Sequence, residues 1–199
     1  ARLLGDFAAA TRHMQQFSEI AAQREQSGDA QTALLITAAI AVDQADYQTV
    51  QQSLDTYRPA DTRMENIEYN LLRGTVAAHT GDQATLLEAL AALPGDARLG
   101  MFQRFQRDAL RARVDYAAGQ HSAARADLQE LLGAQQSRLP DVAPLVIDTQ
   151  LLLARWLMED DPAEARTLLR AAHQALLASG RQHHPLSQQV QAQLERIQP

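Results

Sequence analysis

Cysteine and lysine are both absent from this 199-residue chain. Without Cys there is no disulfide, no thiolate metal ligand and no thiol nucleophile. Without Lys, all 18 basic residues are Arg. A GC-rich coding sequence explains that bias, and the guanidinium fork leaves bidentate pairing with carboxylates open. Aromatic residues make up only 5%. Tyr57, Tyr69, Phe102, Phe105 and Trp156 are expected in the core at helical spacing rather than around a cofactor. The nine Gly fall mostly at expected helix ends, which leaves little loop in which to build an active site. No phosphate-cradling glycine loop, nucleophile elbow or zinc motif occurs. The net charge is -6, with no long block of one sign. That argues against a nucleic-acid footprint and against a polybasic membrane anchor. The longest apolar run, Ala33 to Val42, is broken by Thr37 and falls well short of the ~20 residues a membrane span needs. The chain begins with Ala1 and shows no leader pattern, so a domain of a longer protein or a mature secreted one is expected.

What the chain has is Ala, Leu, Gln and Arg, which are helix formers, and a turn that recurs four times. The turn reads Ala45-Asp46-Tyr47, Gly81-Asp82-Gln83, Gly119-Gln120-His121 and Asp160-Asp161-Pro162. Their spacing of 36 to 41 residues is that of stacked helical hairpins, each burying its apolar face against its neighbours. The expected fold is all-α, about ten helices in a right-handed superhelix of antiparallel hairpins. The first helix is expected over Arg2 to Gln26, ended by Gly28-Asp29, with Leu3, Phe7, Met14 and Phe17 on its apolar stripe. Asp61 or Thr62 is expected to cap the fourth helix. Asp161, Pro162 and Glu164 form the strongest helix start. One domain is expected: an N-terminal helix over residues 1–29, hairpins over 30–182, and a polar capping helix over 183–199.

Aligned on their turns, the units resemble a divergent tetratricopeptide-repeat array over Gln31 to Gln182. The resemblance rests on Ala163, Glu164, Ala165, Arg166, Leu168, Leu169 and Ala172, with Trp156 at the aromatic position. Gly74, Gly81 and Leu90 match in one unit, Ala112, Gly119, Ala124 and Leu128 in another, and Ala38, Ala41, Tyr47, Val50 and Leu54 in the first. His183-His184-Pro185 and the short helix after it are similar to the last repeat of arrays attached to bacterial Ser/Thr receptor kinases and transcriptional regulators. The resemblance implies a non-enzymatic module that binds a protein or peptide, in a bacterial signalling protein, periplasmic ahead of cytoplasmic. It implies no cofactor. The alternative is a structural domain for dimerisation, with the N-terminal helix pairing between chains, or for packing against a neighbouring domain.

In such arrays the groove is lined by the first helix of each hairpin. Carried over, that points to Glu68, Thr75 and His79, to Gln106, Arg113 and Tyr116, and to Gln150. The family's carboxylate clamp is not matched, since Leu71, Thr75, Ala109 and Arg113 stand at its positions. Separately, Arg104, Arg107 and Arg111 stand at i, i+3 and i+7 and share one helix face. They form either a site for an anion or acidic partner or a solvated face paired with Asp108 or Asp115. His183 and His184 diverge as neighbours, so no metal site is expected.

Overall fold

The computed structural model describes residues 27–44, 46–58, 63–182 and 185–197, with a few isolated positions before them. Leu3, Phe7, Met14 and Phe17, the caps proposed at Asp61 and Thr62, and the His183-His184 pair lie outside the described residues.

Among the described residues the fold is all-helical, with no strand. The helices are α1 (Ser27–Asp43), α2 (Tyr47–Thr56), α3 (Arg63–Thr80), α4 (Gln83–Ala91), α5 (Met101–Ala117), α6 (His121–Gln136), α7 (Pro144–Leu157), α8 (Pro162–Ala178) and α9 (Pro185–Arg196). A single 3-10 turn, Asp96–Arg98, precedes α5. One sequence expectation is corrected here. Gly28 and Asp29 do not end a helix; they lie in the first turn of α1. Asp29 is favourable there, because a carboxylate meets the positive end of the helix dipole.

The chain divides into two compact units, with the division falling inside α5 between Val114 and Asp115. In the first unit, α1 packs on α2, α3 packs on α4, and α3 also touches α1 and α2. α1 is apolar on nearly every side, as a helix wedged between two others must be. Leu35, Ala38, Ala39 and Ala41 pack there with Val50, Leu54, Leu72 and Val76. A second cluster joins Ile67, Leu71 and Leu86 to Leu99 and Leu110. Gly74 permits that approach: a Cβ there would sit 2.9 Å from Leu110 Cδ1. In the second unit, α6 packs on α7, α7 on α8, and α9 covers α8 and α7. Leu128, Val146, Ile147, Leu153, Leu169, Leu176 and Val190 are its most deeply buried aliphatic side chains.

Three of the four recurrent turns close in the same way. Gly81 and Gly119 take φ of +80° and +83°, a left-handed conformation that costs a residue with a Cβ about 1–2 kcal/mol. The next N–H then reaches back five residues, Asp82 N to Ala77 O and Gln120 N to Asp115 O, each at 2.9 Å. This closes a Schellman motif. Asp46 N donates to Ala41 O in the same way. At Asp46 and Asp82 the residue that closes one helix also caps the next. Asp46 accepts from Thr49 N at 3.1 Å, and Asp82 from Thr85 N at 3.1 Å. The Thr49 hydroxyl, then this backbone bond, holds the Asp46 carboxyl below the usual carboxylate range; at Asp82 the backbone bond leads and the Thr85 hydroxyl adds to it. The fourth turn differs: Asp161 N reaches back four residues to Leu157 O at 2.7 Å, and Asp161 caps α8 by accepting from Glu164 N at 2.9 Å.

Gln120 occupies the same place before α6 but makes no side-chain cap bond. Its backbone, φ -82° and ψ 48°, is close to that of Asp46 at -89° and 73°. Gln120→Asp is therefore expected to stabilise the protein by about 1 kcal/mol. Urea denaturation at pH 7 measures it, and an unchanged midpoint would count against the shared cap geometry.

Candidate functional site

Three places bring polar or aromatic side chains together. The first is a face of α3. Glu68, Thr75 and His79 follow at i, i+7 and i+11 and so share that face. Glu68 and Thr75 are half-exposed and His79 is exposed. Thr75 Oγ1 donates back to Leu71 O at 2.8 Å, which leaves the hydroxyl oxygen only its acceptor capacity. The His79 ring stacks on Tyr47 at the start of α2, centroids 3.6 Å apart and planes 17° off parallel. Asn70 and Arg73, also half-exposed on α3, are anchored: Asn70 Nδ2 donates to Asn66 O at 2.7 Å, and Arg73 pairs with Glu88 of α4 at 2.6 Å.

The second place is on α5. Of the three arginines expected on one face, Arg111 is exposed and Arg104 half-exposed, but Arg107 is only 8% exposed. Arg107 is therefore withdrawn from the open patch. Its Nε and Nη2 both donate to Asp108 Oδ1, at 3.0 and 2.6 Å. Its Nη1 pairs with the Asp96 carboxylate from the 3-10 turn. Burial works to lower the guanidinium pKa, but the bonds from Asp108 and Asp96 outweigh it and raise the value. Asp96 is pushed below the usual carboxylate range, first by its bond with Arg107, then by that charge, with Arg111 and Arg104 adding to it. Gln106 and Arg113, seven residues apart on α5, are both half-exposed.

The third place lies in the second unit. Tyr116, in the last turn of α5, is sandwiched between two rings. His121 stacks on one side at 4.3 Å and Trp156 on the other at 4.1 Å. Arg125 of α6 pairs with Asp160 at 2.5 Å. That bond, with a weaker one to Tyr116, raises the guanidinium pKa against the cost of burial. Trp156 is buried, as its place between hairpins requires.

Besides Arg107, two placements differ from the sequence expectation. Gln150, expected on the groove, is 2% exposed and its Oε1 has no hydrogen-bond partner. It lies on α7, which is flanked by α6, α8 and α9, so little of its circumference is left to solvent. Phe102, expected in the core, is 40% exposed. It sits in the first turn of α5, and Phe105 takes the inward position instead. Sequence reasoning missed Asp96 and the Arg125–Asp160 pair. The signal for Asp96 was its place after Pro94-Gly95, within one short turn of an arginine-rich helix.

Among the described residues, no three His, Asp or Glu side chains gather as a metal site, and no helix is long and apolar enough to cross a membrane. No family model, curated protein or solved structure matches this chain. The fold and the side chains therefore carry the functional reading.

Proposed function

We propose that this chain is a non-enzymatic module that binds a protein or peptide, serving as the interaction or sensor part of a larger bacterial signalling protein such as a receptor-type Ser/Thr kinase. The observation that carries this reading is the register of α3. Glu68, Thr75 and His79 stand in one row, in which the Thr75 hydroxyl is bonded to Leu71 O and the His79 ring is stacked on Tyr47. A row of anchored, half-exposed polar groups on a packed helix is a pre-formed surface, and pre-formed surfaces lose little entropy on binding. Gln106 and Arg113 repeat the arrangement on α5.

The test is selection of random peptides against the 199-residue chain, followed by chemical-shift mapping of an enriched peptide. The shifts are expected on α3 around Glu68, Thr75 and His79 and on α5 around Gln106 and Arg113. No enriched peptide, or shifts confined to other helices, overturns the reading.

A further inference from the structure

The contact between Asp96 and α5 has an unequal construction. Arg107 is held on one edge by Asp108, which is fixed on the same helix and one residue away. Its other edge is closed by Asp96, which comes from a separate three-residue turn. That carboxylate is 73% exposed, against 9% for the arginine side chain. The turn holding it has little of its own structure: Arg98 N donates to Gly95 O at 3.0 Å, Leu99 N to Asp96 O at 3.2 Å, and Gly95 gives no side-chain cap. Leu99, 5% exposed, is what pins the segment to the core. Asp96 can therefore swing out while Leu99 stays buried, and Arg107 keeps its Asp108 partner. What such a swing uncovers is one free Nη1 edge of a buried guanidinium, with Arg104 and Arg111 one turn to either side of it on the same face.

We propose that Asp96 is a built-in occupant of a carboxylate site, and that Arg107, flanked by Arg104 and Arg111, binds an acidic segment of a partner protein in its place. This rests on the protein-binding reading above and adds the chemistry of the partner. A guanidinium edge selects a carboxylate because two N–H donors or one charge-assisted bond fit its oxygens. The flanking arginines favour a segment with several Asp or Glu over a single acid. Asp96 competes from within the chain, at an effective concentration far above that of a free peptide. The site is therefore specific for runs of acidic residues dense enough to displace it.

The probe is fluorescein-labelled hexaglutamate, with hexaglutamine as the neutral control, titrated against the whole chain by fluorescence polarisation at low salt. Asp96→Asn is expected to tighten hexaglutamate binding about tenfold, because the competent open state is no longer rare. Adding Arg104→Gln and Arg111→Gln to Asp96→Asn is expected to remove that binding. Both arginines are outside the core, so the thermal melt of the triple variant should match that of Asp96→Asn, which itself melts below the parent because a buried guanidinium loses one partner. Equal affinity of the parent and Asp96→Asn, or no difference between hexaglutamate and hexaglutamine, overturns the proposal. So does binding that survives the loss of both flanking arginines. If peptide selection yields binders that map to α3 while hexaglutamate fails on Asp96→Asn, the carboxylate site is refuted and the binding module stands.

Discussion

Leu169→Ala is expected to cost about 2–5 kcal/mol of unfolding free energy. Leu169 is completely buried on α8, in line with Ala165, Ala172 and Leu176, which are buried to the same degree. Two of those three neighbours are alanines, which have no further atoms to move into the space a lost isobutyl group leaves. The cavity term should therefore place the loss in the upper part of that range. Leu177, one residue beyond Leu176 on the same helix, is 46% exposed, and Leu177→Ala is expected to change stability by less than ~0.5 kcal/mol. Urea denaturation followed by circular dichroism gives both values. Comparable losses for the two substitutions would mean that α8 presents a different face to α7.

Gln135→Leu is expected to act in the opposite direction, raising stability by about 1–3 kcal/mol. Gln135 is 0% exposed, and neither Oε1 nor Nε2 has a hydrogen-bond partner. Burial of an amide without partners is costly, whereas Leu has nearly the same volume and nothing to satisfy. Gln136 beside it is exposed, so Gln136→Leu provides the comparison and should leave the midpoint where it is. A loss of stability in Gln135→Leu would show that the amide has polar company inside the unit, such as bound water.

Much of this fold was legible in the chain. The turns at Gly81 and Gly119 announced themselves because only glycine takes that backbone freely, and Asp161 because a short carboxylate caps a helix; that Asp46 and Asp82 also cap came from the structure. The all-helical class and the pairing of sequence neighbours followed from those signals. Periodicity alone could not place Gln135, Gln150 and Arg107. It assigns polar residues to the wet face, and these three are buried for reasons of packing around helices that have neighbours on more than one side. Phe102 failed in the converse way, because the first turn of a helix projects beyond the elements that cover its middle. Asp96 was missed for another reason: its place after Pro94-Gly95 marks a turn near the arginines, but the reach to Arg107 depends on the geometry of that turn, which no spacing rule encodes. For the candidate surface, the register of Glu68, Thr75 and His79 came from the sequence, while the stacking of His79 on Tyr47 needed the fold.

Trp156 is the single tryptophan of the chain, and it lies against Tyr116 in the second unit. Its emission therefore reports on the packing around Tyr116 in the second unit, while far-ultraviolet ellipticity sums over every helix. Where the two signals melt together, the units unfold as one cooperative body; where the emission changes at a different temperature, each has its own transition. The molecule thus carries an internal reporter for whether ligand bound to α3 or α5 is felt by the helices beyond.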